Sequence, residues 1–144
     1  MRFQRPVLLA LALSVFGCAE GARMVRETTE PPGFTQIATE DVRTSMHVMA
    51  AFAQSLDAAL RADATDEAAR QQQVLGALDG MFAAASDLRP SGETSNHPML
   101  DKRLPMFLRD VQLARGAAAS TPPSYFLAGS VAGSCAACHR DTQR

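Results

Sequence analysis

The sequence predicts an all-α fold, an antiparallel bundle of four helices, and three observations carry that expectation. Apolar residues recur at steps of three and four in four separate stretches from residue 39 onward, the spacing that keeps one helical face buried. Prolines and polar clusters fall between those stretches, and no run shows the period-two alternation of a half-buried strand. A chain of 144 residues, 47% hydrophobic and 20% charged, is long and apolar enough for one domain with a core, which excludes a disordered chain.

The first helix opens at Thr39, a residue type suited to capping, and places Val42, Met46, Met49, Ala53, Leu56 and Leu60 on one face. After a break at "RADATD", Ala68, Leu75, Leu78, Phe82 and Ala85 mark the second. Pro90 forbids its continuation, because the ring removes an N–H and clashes with the preceding turn. "SGETSNHP" reads as a loop. Leu100, Leu104, Phe107, Val111, Ala114 and Ala118 mark the third helix, which Pro105 either kinks or opens in its longer part. "STPPS" ends it, and Ser124 is placed to cap a fourth helix whose inner face is Leu127 or Ala128, Val131, Cys135 and Cys138. Helices of roughly 20 residues joined by short connections pack as antiparallel neighbours.

Residues 1–18 read as a targeting segment. Arg2 and Arg5 precede the ten-residue apolar run Val7–Phe16, too short to cross a bilayer at about 1.5 Å per residue but suited to a secretory signal. The run ends in Val15-Phe16-Gly17-Cys18, which resembles a bacterial lipobox, where the cysteine is lipidated. Phe16 stands where a small residue is usual, and cleavage after Ala19 is the alternative. The expectation is an exported protein, periplasmic and lipid-anchored through Cys18. Residues 19–38 are polar, contain Pro31, Pro32 and Gly33, and read as a tether able to hold the domain of residues 39–144 on the order of 25 Å from a membrane. Phe34 and Ile37 are placed to pack on that domain.

Charge excludes some partners. The 13 Arg and 1 Lys are spread along the chain and the net charge is −1, so no basic stripe marks a nucleic-acid surface. No carboxylate pair, nucleophile with a base, or glycine-rich phosphate loop can be assembled, so no enzyme is expected.

"GSCAACHR" carries the chemistry. The chain has 3 Cys and 3 His, yet Cys135-Ala-Ala-Cys138-His139 gathers three of these six within five positions. This is the C-x-x-C-H signature of c-type heme attachment, in a chain with an export signal. On a helix, residues three and four apart share a face, so both sulfurs can form thioethers with the vinyl groups while His139 reaches the iron from the same side. A disulfide at this spacing would strain a helix, zinc would need further ligands that only His47 and His97 could supply, and a redox C-x-x-C would want a βαβ setting.

Four helices with this motif in the last resemble the class II c-type cytochromes, cytochrome c-prime and its low-spin relatives, over residues 39–144. The resemblance implies heme c inside the bundle, with Cys135 and Cys138 as covalent links and His139 as proximal ligand. It also implies that a residue of the first helix binds or blocks the opposite face of the iron, and it allows a homodimer. Within "RTSMHVMAAF", Met46 and Met49 lie on the inner seam, so Met46 is the expected sixth ligand and Met49 the runner-up. His47, turned about 100° from Met46, His97 and an open site are the alternatives. Arg43 loosely resembles the family's arginine before the ligand. Gly129, Ala132, Gly133 and Ala136 suggest a close approach to the fourth helix, by a porphyrin edge or by another helix; Arg140 and Arg144 could meet heme propionates. The expected function is single-electron transfer between redox proteins. The alternative is NO or CO binding at an open iron.

Overall fold

The structure, a computed structural model, describes residues 33–63, 65–88 and 94–141. The targeting segment, Cys18, most of the expected tether, Pro90 and Arg144 lie outside the described residues. Contacts divide the chain into Met1–Phe34, of which Gly33 and Phe34 are described, and Thr35–Arg144, which holds the helices. The backbone of Gly33 has a φ of 84°, a left-handed conformation that favours glycine.

Four helices follow in order: α1 (Thr39–Arg61), α2 (Glu67–Ser86), α3 (Pro98–Ala118) and α4 (Phe126–Asp141). Two strands of two residues each, β1 (Phe34–Thr35) and β2 (Thr94–Ser95), form a minimal sheet. Helix α1 packs on α2, α2 on α3, α3 on α4, and α4 returns to α1, closing a ring. The fold is the all-α four-helix bundle that the periodicity predicts. Among the described residues no helix is long and apolar enough to cross a membrane.

The helix ends differ from expectation in two places. Thr39 is the first helical residue and not the cap; the N-cap position is Ala38, which offers no side-chain acceptor, and Glu40 and Asp41 supply negative charge to the first turn instead. Helix α4 begins at Phe126, two residues beyond Ser124, whose N–H donates to the Ala117 carbonyl at 3.0 Å. Helix α2 is capped by Asp66, whose Oδ1 accepts the Ala69 N–H at 3.0 Å. In α3, Pro98 stands in the first turn where its missing N–H costs nothing, and Pro105 is carried inside the helix.

One core cluster joins Leu56, Val74, Leu78, Met81, Val111, Ala114 and Val131, all nearly inaccessible to solvent. The second joins Ile37, Met49, Ala84, Ala85, Leu88 and Leu104, with Phe107 packed against both clusters. Of the two residues that the sequence offers for α4's inner face, Ala128 is buried and Leu127 exposed. Ala68 is exposed, contrary to expectation.

Helices α1 and α2 pack closely at Gly80, where the Phe52 ring occupies the space a Cβ would need. Of the two close approaches suggested for α4, the one by another helix is not found at its glycines: Gly129 and Gly133 are exposed, and a Cβ at either would meet no protein atom within 4 Å.

Polar contacts tie the end of the bundle where α1 passes to α2 and α3 to α4. Gln71 Nε2 donates to the Ala118 carbonyl at 2.8 Å and Arg70 to the Leu60 carbonyl at 3.0 Å. The Arg70 guanidinium lies 5.0 Å from the Tyr125 ring centre, and the Tyr125 hydroxyl donates to Glu67 at 2.6 Å. At the opposite end the Ile37 N–H donates to Asn96 Oδ1 at 2.8 Å, and Asn96 Nδ2 returns a bond to the Ile37 carbonyl at 2.9 Å.

Candidate functional site

The core is filled at one level of the bundle and open at another, and side-chain size decides which. Around Leu56, Val74, Leu78, Val111 and Val131 branched side chains meet across the axis. Toward the start of α1 and the end of α4, the inward positions include Ala50, Ser134, Cys135 and Cys138, which are too short to close the space. A cavity of about 250 Å³ results, bounded by α1, α3 and α4 and open on one side. At about 24 cal/mol per Å³, sealing such a volume empty would cost on the order of 6 kcal/mol. Its walls suit an apolar body.

Helix α4 contributes Ser134, Cys135, Cys138 and His139 to the lining. The two cysteines are half-buried free thiols, one helical turn apart, and the Ser134 hydroxyl is turned to its own helix, donating to the Val131 carbonyl at 2.8 Å. His139 is more exposed than either cysteine but reaches the same cavity. From the facing helix come Met46, half-buried, and Met49, with 6% of its surface accessible. Helix α3 closes the third side with Leu100, Leu104 and Phe107. One cavity therefore brings together Cys135, Cys138, His139, Met46 and Met49.

The chain matches no known family model, no curated protein and no solved structure.

The other sequence candidates lie elsewhere. His47 is exposed and does not line the cavity. His97 is half-buried in the α2–α3 connection, where its Nε2 is 3.1 Å from the Ile37 carbonyl and its backbone N–H donates to Ser95 Oγ at 3.0 Å. Arg43 is exposed and ion-paired with Glu40. Arg140 is exposed and outside the lining.

Two charged residues of the lining, Arg103 and Asp110, escape a reading by apolar periodicity. Both fall on the stripe 100-103-107-110, alternating with Leu100 and Phe107. Charged residues at the spacing of a buried face are the signal that could have found them.

The donors gathered in the cavity can be compared with those a heme would need. Among the described residues no group of three or more His, Cys, Asp and Glu side chains is gathered to hold a metal ion. What the cavity presents is two thiols and an imidazole on α4, the Met46 and Met49 sulfurs on α1, and on α3 Leu100, Leu104, Met106 and Phe107 with the charged Arg103 and Asp110 among them. Thiols spaced for two links and soft or imidazole ligands on both sides match a covalently held iron porphyrin.

Proposed function

We propose that the protein is an exported c-type cytochrome that carries one covalently attached heme and passes single electrons between redox proteins. The observation that carries this reading is the shared cavity: the C-x-x-C-H residues of α4 face the methionines of α1 across it. When bound, the heme would supply a one-electron ferric–ferrous couple. Cys135 and Cys138 would hold the porphyrin edge, and His139 the iron. Met46 is proposed as the opposing ligand, with Met49 as runner-up.

The division of labour between the methionines follows from burial. Met49 is packed among core residues, whereas half-buried Met46 has more freedom to reorient its sulfur toward an occupant. Leu100, Leu104 and Phe107 would shield part of a bound heme from water, which would lower the reorganisation that accompanies a change of charge. Two protein ligands, one from α4 and one from α1, would suit a carrier that changes little between oxidation states.

The proposed partners are other redox proteins, met transiently at the open side of the cavity over an interface near the small end of the usual range. Neither nucleic acid nor a chemical substrate is proposed. The proposed location is the periplasm, with membrane contact through a lipid on Cys18, and a homodimer is compatible with the reading.

Carbon monoxide tests the sixth position. Ferrous protein holding Met46 or Met49 on the iron should form a CO adduct slowly or not at all, and Met46→Ala should make the adduct form rapidly. Rapid formation by the unaltered protein would overturn methionine ligation and turn the reading to gas binding. An unchanged low-spin spectrum in Met46→Ala would move the ligand to another residue, Met49 first.

A further inference from the structure

The cavity wall on α3 is electrically polar along its length. Arg103 and Asp110 lie on one stripe seven residues apart, about 10.5 Å along the axis at 1.5 Å per residue, with Leu100, Leu104 and Phe107 around and between them. Arg103 is half-buried and Asp110 is exposed at the cavity's edge, and among the described residues Arg103 supplies the only Arg or Lys side chain of the lining. Lys102 and Arg109, its neighbours on the same helix, are exposed and turned elsewhere.

We infer that Arg103 is the anchor for a carboxylate of the bound macrocycle, and that Asp110, two turns away, turns that anionic edge from its own end of the cavity. The inference rests on the heme reading. A heme carries two carboxylates, and placing one against Leu100, Leu104 and Phe107 without a cation would leave a desolvated charge uncompensated. A guanidinium is permanently charged and presents paired N–H groups that match a carboxylate's two oxygens. The same carboxylate beside Asp110 would face like charge. Arg103 is in this account a positioning residue: it fixes the porphyrin's polar edge and adds a positive charge near the iron, which favours the reduced form because that form carries one positive charge fewer.

The test compares the holo-forms of wild type, Arg103→Gln, Arg103→Lys and Asp110→Asn by reduction potential at low ionic strength, with resonance Raman spectra in the propionate bending region. Arg103→Gln should lower the reduced-to-oxidised ratio at fixed ambient potential by up to about tenfold, about 59 mV for one electron, and should shift the propionate band. Arg103→Lys should restore most of the potential but less of the band, and Asp110→Asn should move the potential the opposite way. Heme-bearing Arg103→Gln with wild-type potential and band would overturn the anchor alone. Wild-type protein without heme would overturn the cytochrome reading and this inference with it.

Discussion

Met46 and Met49 share a wall but differ in how much of each the protein itself needs. Met49 is 6% exposed within a core cluster, so Met49→Ala should destabilise even heme-free protein by about 2–4 kcal/mol, the usual range for a buried methionine. Met46 is half-buried, and Met46→Ala in the same heme-free protein should cost about 1 kcal/mol or less. Urea denaturation of both variants checks this, and equal losses would contradict a side chain held in reserve for an occupant. At the other end of the bundle, desolvation and then the hydrogen bond to Glu67 push the Tyr125 hydroxyl up to about 12 from its ordinary 10.0. A raised acid favours its neutral form when folded, so this contribution is complete below pH 10 and is lost as pH rises from 10 toward 12. Tyr125→Phe should therefore flatten the fall in stability across that interval. A wild-type slope in the variant would show that other groups cause it.

Among the helices, legibility followed contrast. Helix α1 alternates Val42, Met46, Met49, Ala53, Leu56 and Leu60 with polar residues, and its buried face is the one the spacing indicates. Helix α2 is rich in alanine all round, so of the stripe that periodicity marks Leu78 and Ala85 are fully buried, Leu75 and Phe82 partly so and Ala68 exposed, while Val74 and Met81, also fully buried, lie outside it. Glycine misled in a related way. No other helix meets the stripe at Gly129 and Gly133, whereas at Gly80 the Phe52 ring of α1 stands where a Cβ would be, because a missing Cβ matters to packing only where a neighbour arrives from another helix. Gly80→Ala should lower stability by more than about 1 kcal/mol despite alanine's better helix propensity. Adding Phe52→Ala should recover part of the overlap cost, a coupling that a double-mutant cycle reads directly. Additive losses would mean that the ring moves aside freely. Helix ends were the least legible: Asp66 caps α2, but Thr39 and Ser124, with equally suitable hydroxyls, do not cap theirs. Asp66→Ala should cost about 1 kcal/mol in thermal unfolding, and an unchanged midpoint would remove the cap from the account.

At the scale of the molecule, the bundle divides into a filled end and an open one. Leu56, Leu78, Val111 and Val131 fill the first, and the polar contacts of Arg70, Gln71 and Tyr125 close its connections. Short side chains leave room at the other, beside Cys135, Cys138 and His139. Which helix bears the thiols was readable from five residues of sequence, since their spacing is local. The third wall was not, because Arg103 and Asp110 acquire meaning only when α3 is set against α1 and α4, and a long arginine stem packs like an apolar residue. The account turns on covalent attachment of a porphyrin at that open end, and the mass of the mature protein, made in a host able to attach heme, tests it most directly. The prediction is one heme added to the polypeptide mass, retained after acid denaturation and lost in Cys135→Ala/Cys138→Ala. A colourless wild-type protein with the polypeptide's own mass, or a heme that leaves on denaturation, would contradict it.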